Sequence, residues 1–499
     1  MNLYAVYIIK EYLKKTDYDD NSLNLITQQI TTEYLLIFTS LLNKGNKKLS
    51  YEILIILINI TYTKQGEILF GEDEKVIKNI STFLVNNKND VKLLYLGIFL
   101  IKHITYKNPL VKQILQNYKI ISFFEEIYEK YILDSNFMEN LIKCLGHFID
   151  SRFDKNKNIL CSIKIIKSQL NKNTPIDLLE KYVHILYNLC FYKDPVIIKK
   201  MIDEDIYKIL INIFPFDDNI ISKLNINQNM NLKYINDEDF YDIEIAKKIL
   251  RQLRLLILKI LGNLFSLEEV LYTQKIIDYN ISIFLNKVLK FTDIKIIKNA
   301  FYCISNICLG SYGQISNLYN NNTIIIALNV AKNIYETIIS KNQFINNLLK
   351  EDFICALREI DYSFSYLIIN SLFEKLIPII KYDNYIIIHL LLKGIQLFED
   401  NYQEKKLLSF ILKAISKLLQ YEKSNEDDTK EENINLIDLL GKNGFKEILE
   451  KLQTNSDEDI VDDAEKIFDE FFDDNNNENN LDNIDINDII KDIQEEEEE

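Results

Sequence analysis

One short grammar recurs along this chain at a nearly constant interval, and that interval restricts the fold more than any other feature. A long or flat side chain stands four residues before a second polar or ring-bearing one. Apolar residues fill the gap, and a short polar stretch follows. The pairs are Ile55 and Asn59, Phe99 and His103, Lys143 and His147, His184 and Asn188, Lys259 and Asn263, Tyr302 and Asn306, and Tyr362 and Tyr366. Residues at i and i+4 share one face of a helix. Each pair therefore projects together, while Ile260, Leu261 and Leu264, or Ile304 and Ile307, turn towards a core.

The second members of the pairs are separated by 44, 44, 41, 75, 43 and 60 residues. A period of about 40–47 residues belongs to armadillo or HEAT repeats. The two long intervals carry extra chain. The 75-residue one holds Lys223–Glu244, rich in Asn, Asp and Tyr, which reads as a surface insertion. A steady period broken by loop insertions is the mark of a solenoid, because each unit touches only its neighbours. Within one period the pattern runs helix, Asn/Asp turn, longer helix: 74–85 then 91–105, 120–132 then 137–149, and finally 176–191. Eleven glycines, five prolines and no tryptophan in 499 residues leave few helix breakers. The expected fold is all-α, a right-handed superhelical solenoid of armadillo repeats.

Residues 1–49 read as amino-terminal helices, 50–440 as the repeat array, and 441–472 as a more polar helix pair capping its end. The charged stretch Glu422–Glu432 reads as a loop. From 473 to 499 the chain is Asn/Asp-rich and ends in five glutamates, a composition expected to be disordered. Net charge is −16, and residues 456–499 hold 20 acids and two lysines, a sum of −18. Residues 1–455 then carry −16 + 18 = +2, so no basic nucleic-acid footprint is present. No apolar run reaches the ~20 residues of a membrane span. Six cysteines form no CxxC pair, which fits a reducing compartment. The sequence contains no P-loop, GxGxxG, HExxH or GxSxG motif, so neither an enzyme nor a cofactor is expected. His103, His147 and His184 occupy ladder positions, but successive repeats separate them and nothing nearby has metal-ligand spacing. They read as hydrogen bonders standing in for asparagine.

Several of these runs resemble importin-alpha, the armadillo adaptor of nuclear import. LKILGN (Leu258–Asn263) is similar to the family's ALRAVGN motif, and YCISNI (Tyr302–Ile307) to its WTISNI. KCLGHFID (Lys143–Asp150), ILYNLCFYKDP (Ile185–Pro195) and the Thr273-Gln274 pair follow the same array, and Asn443–Phe472 resembles the final repeat. The likeness covers about residues 50–472. Every tryptophan of the family's Trp-x-x-x-Asn array is replaced, by Ile55, Phe99, Lys143, His184, Tyr302 and Tyr362. Asparagine remains at Asn59, Asn188, Asn263 and Asn306.

The resemblance implies an adaptor that shuttles between cytoplasm and nucleus. Its implied partners are cargo bearing a nuclear localisation signal, importin-beta, and an export factor for recycling. The family's Arg/Lys-rich segment for importin-beta has no counterpart in residues 1–48. Holding an extended lysine-rich peptide takes amides for its backbone, at about 0.5–1.5 kcal/mol each. It takes rings for the lysine stems, at about 0.5–1 kcal/mol when exposed. It also takes carboxylates for the ammonium heads, at about 0.2–1 kcal/mol. The implied set is Asn59, Phe99, His103, Asn188, Lys259, Asn263, Glu269, Tyr302, Asn306, Glu359 and Tyr362. Glu269 and Glu359 match acidic positions of the family's minor cargo site, whereas Lys143 in the first half would repel a lysine. The second half should therefore grip cargo more tightly. A non-transport armadillo scaffold, for cytoskeletal or signalling assembly, is the alternative.

Overall fold

The computed structural model describes residues 31–62, 64–106, 108–149, 160–217, 237–341, 347–399, 404–424 and 435–473. The amino-terminal segment before Thr31 and the acidic stretch after Asp473 lie outside them, as does most of the expected insertion. Among the described residues every regular element is a helix. The chain forms two compact units, Met1–Asn280 and Ile281–Glu499.

In the first unit the helices are α1 (Thr32–Leu42), α2 (Lys47–Thr61), α3 (Lys64–Glu72), α4 (Glu74–Asn86), α5 (Val91–Thr105), α6 (Pro109–Asn117) and α7 (Ile120–Tyr131). They continue with α8 (Ser135–Ile149), α9 (Leu160–Gln169), α10 (Ile176–Cys190), α11 (Pro195–Asp203), α12 (Ile206–Ile213), α13 (Asp237–Phe265) and α14 (Val270–Ile277). The second unit holds α15 (Ile281–Val288), α16 (Ile294–Cys308), α17 (Tyr312–Asn320), α18 (Thr323–Lys341), α19 (Asn347–Asn370) and α20 (Phe373–Ile380). It ends with α21 (Ile386–Phe398), α22 (Lys405–Ser424), α23 (Leu436–Lys442), α24 (Phe445–Leu452) and α25 (Glu458–Phe471).

The repeating unit has three helices where the sequence suggested two. A short first helix of seven to nine residues opens the unit, as α3, α6, α11, α14, α17, α20 and α23 show. At the junctions of first and second helices the backbone turns left-handed, at Lys119, Asp205, Asn280, Asn322, Tyr385 (with Asp383 and Asn384 before it) and Gly444, with φ between 46° and 77°. Only glycine enters that region without strain. The Asn/Asp turns before the long third helices are N-caps. The Asn46 side chain accepts from Leu49 N–H at 3.1 Å, Asp90 from Leu93 at 3.3 Å, Asp134 from Phe137 at 3.0 Å and Asp293 from Lys295 at 2.9 Å.

Third helices stack on one another: α2, α5, α8, α10 and α13 in the first unit, and α16, α19, α22 and α25 in the second. Their apolar stripes are buried; Ile260, Leu261, Leu264, Ile304 and Ile307 are all at most 2% exposed. Side chains also bridge equivalent positions of consecutive repeats. Tyr118 donates to Glu74 at 2.9 Å, Tyr131 to the Lys88 carbonyl at 2.9 Å, and Asn140 to Tyr95 at 3.2 Å. Cys144, Cys190, Cys303 and Cys308 are buried thiols outside any disulfide. Burial pushes the Cys190 thiol up to about 12, so it packs as a small apolar group.

Two expected loops are partly helical. Residues 237–244 of the expected insertion begin α13, and 422–424 of the charged stretch end α22. The rest of both stretches lies outside the described residues, as far as Asn236 and from Asn425 onward.

Candidate functional site: the ladder on the third helices

The third helices carry the ladder pairs, so the stacking that forms the core also sets the ladder in rows. In the first unit α2 presents Ile55 and Asn59, both half-buried. On α5 the rings of Tyr95, Phe99 and His103 follow one another with centroids 6.4 and 4.6 Å apart, and Tyr62 meets His103 at 4.9 Å. Burial, helped by the charges of Lys102 and His147, holds the His103 imidazole down at about 4, so it is neutral at pH 7. Lys102 Nζ lies 3.9 Å from the Phe99 ring centre and donates to Asn140 Oδ1 at 3.0 Å. On α8 Lys143 is paired with Glu139 one turn earlier. His147 Nδ1 lies 3.2 Å from Thr105 Oγ1. On α10 His184 is exposed and Asn188 half-buried. Lys259 Nζ of α13 lies 5.4 Å from the centre of the Tyr187 ring.

Two of the expected site residues are placed elsewhere. Asn263 is 6% exposed, and its amide donates to the Cys190 carbonyl at 3.2 Å. It is turned into the seam between α10 and α13, where the last-turn carbonyl of Cys190 accepts both from it and from Lys193 N–H. Glu269 stands at the start of α14 and is paired with Lys199 of α11. Six residues past Asn263 the chain has left α13, so this carboxylate faces the first-helix layer. Asn263→Ala should lower stability by about 1 kcal/mol, the net worth of one buried hydrogen bond, since the Cys190 carbonyl keeps its bond from Lys193 N–H at 3.1 Å. Urea denaturation measures it; an unshifted midpoint would contradict the seam role.

In the second unit Tyr302 and Asn306 are half-buried on α16, and Glu359, Tyr362 and Tyr366 half-buried on the adjacent α19. Tyr362 and Tyr366 stack with centroids 5.7 Å apart, and Phe410 of α22 meets both edge-on, at 6.1 and 4.9 Å. The register on α19 differs from the one the spacing suggested. Asn370 donates to the Cys308 carbonyl at 2.9 Å, two residues beyond Asn306. Asn263 bonds Cys190, two residues beyond Asn188, in the same way. The pair equivalent to Tyr302 and Asn306 is therefore Tyr366 and Asn370, one turn on, with Tyr362 a turn before it on the same face. The signal was present: Tyr-Leu-Ile-Ile-Asn at 366–370 repeats the grammar of Tyr-Cys-Ile-Ser-Asn at 302–306.

Electrostatics single out the Tyr362 neighbourhood. Burial raises the Tyr362 phenol's pKa, and the charges of Glu404 and Glu359 raise it further, against Arg358. Arg358 pairs with the buried Glu404 at 2.6 Å. The ring thus lies beside two carboxylates, Glu359 and Glu404, of which Glu404 is matched by Arg358. Among the described residues no group of three or more His, Cys, Asp or Glu is placed to hold a metal ion, and no helix is long and apolar enough to cross a membrane.

No protein-family model and no curated protein matches the sequence. Solved structures do match. One concerns a phosphorylation switch in the interaction between cadherin and beta-catenin; it superposes with a TM-score of 0.63 at 12% identity, covering 93% of this chain and 79% of that one. The fold is an armadillo-repeat solenoid. An engineered protein from the Northeast Structural Genomics Consortium superposes with a TM-score of 0.57 at 13% identity, covering 93% of this chain and 98% of that one. At such identities the likeness to these two structures is one of fold.

Proposed function

We propose that this armadillo protein is a binding adaptor of the importin-alpha kind. It would hold lysine-rich nuclear localisation signals on its third-helix ladder and move between cytoplasm and nucleus, with no catalytic step. Importin-beta and an export factor are the carriers this reading entails. The observation that supports it best is the α16–α19 row of the second unit, where rings, amides and carboxylates fall together. Tyr302, Tyr362 and Tyr366 offer half-exposed rings to lysine stems. Asn306 stands on the same row, and half-buried Glu359 supplies a carboxylate. These are the three kinds of contact an extended cationic peptide needs.

The test is fluorescence anisotropy with a labelled lysine-rich bipartite peptide. Tyr302→Ala/Tyr362→Ala should weaken binding about tenfold, the equivalent of removing two cation–π contacts. Unchanged affinity, with helix content intact, would reject this site. A pull-down with importin-beta then separates a transport adaptor from another armadillo scaffold, since only the adaptor should retain it.

A further inference from the structure

The first unit's ladder carries a different chemistry, which the basic-peptide reading does not use. Where an incoming lysine stem would lie on Phe99, the chain's own Lys102 already sits, 3.9 Å from the ring centre. Lys259 takes the same position over Tyr187, at 5.4 Å. Lys143 occupies the ring position of the next row. Over the columns of α5, α8, α10 and α13 that share this face, five lysines (Lys92, Lys102, Lys143, Lys181, Lys259) stand against three carboxylates (Glu139, Asp177, Glu180). Two of those carboxylates are engaged within their own helices, Glu139 with Lys143 and Asp177 with Lys181.

We propose that this α5–α8–α10–α13 face is a docking surface for an acidic, extended segment of another protein. Carboxylates of that segment would meet Lys102, Lys143 and Lys259, while the side chains of Asn188, His184 and the neutral His103 border its backbone. Lys102 is held by the Phe99 ring and Asn140, Lys259 by the Tyr187 ring and Lys143 by Glu139, so they are ordered before the ligand arrives, and less freedom is lost on binding. Burial chiefly, and then the Lys143 charge, lower the Lys102 pKa, with Glu139 opposing them. A lysine-rich peptide would meet repulsion at the same positions. The proposal goes beyond the adaptor reading and does not depend on it.

The experiment uses the full chain and two fluorescein-labelled 16-residue peptides, one rich in Glu and Asp and one rich in Lys. The acidic peptide should bind the wild type, and its affinity should fall as salt rises. Lys102→Glu/Lys143→Glu should lower that affinity tenfold or more, and Lys102→Gln/Lys143→Gln by a smaller factor, with circular dichroism unchanged. Tyr302→Ala/Tyr362→Ala should leave acidic binding as it was and weaken only the lysine-rich peptide. Failure of that last arm alone would strike the adaptor reading and leave this one intact. No acidic binding by the wild type, or full affinity in the charge-reversed variant, would overturn the proposal. So would self-association of the full chain that charge reversal abolishes, because the occupant would then be the chain's own acidic residues.

Discussion

Gly394→Ala is expected to destabilise the second unit by about 3 kcal/mol, the upper end of the overpacking range. Gly394 lies in α21 against α19, and a Cβ built there would stand 2.5 Å from Asp361 Oδ2 and 2.8 Å from Asp361 Cγ. Side chains do not approach so closely. The Asp361 carboxyl cannot swing aside cheaply, because it is fully buried and held by the Tyr335 hydroxyl, which lies 2.7 and 2.8 Å from its two oxygens. Either the carboxyl loses that bond inside the protein or α21 backs away from α19. Both routes cost comparable amounts. Urea denaturation followed by circular dichroism would show an earlier loss of helix; an unchanged midpoint would mean that α21 shifts freely.

The same carboxyl should make stability fall as pH rises. Burial raises the Asp361 pKa well above the ordinary 3.8, and the bond from Tyr335 only partly opposes it. The folded chain therefore keeps a proton that the unfolded chain has lost. Between 3.8 and the folded-state pKa, this group removes up to about 1.4 kcal/mol of stability per pH unit. Below 3.8 both states are protonated and the effect vanishes. Asp361→Asn cannot ionise and can still accept from Tyr335. The variant should nearly match the wild type at about pH 4 and gain on it steadily towards pH 7. Urea midpoints across that range give the comparison, and a gap that stays constant with pH would sink the idea.

Much of the fold was legible because it rests on periodicity. The long third helices announced themselves through apolar spacing at Val91–Thr105 and Ile176–Cys190, and the first of these also through Asp90 just before it. The short first helices were hidden. Seven to nine residues give barely two turns, and Pro109 and Pro195 at their starts look like breakers until one sees them as first helical residues capped by Asn108 and Asp194. The site was legible in part. Spacing put the right columns on the third helices, but it could not say which way each amide turns. Asn188 and Asn263 look alike in sequence, yet one is half-buried and the other sealed against Cys190. That difference is set by a carbonyl on a neighbouring helix 73 residues away in the chain. On α19 the long interval after Asn306 concealed the register, and only the bond from Asn370 to Cys308 resolves it.

The side chains of His147, Asn263 and Asn370 each reach back to the tail end of the preceding third helix. They work as rivets, holding the step from one rung to the next without help from any guest. A stretched ligand would thus meet a ruler with fixed divisions. It would be selected for the spacing of its own side chains, and a one-residue slip would misalign every contact at once.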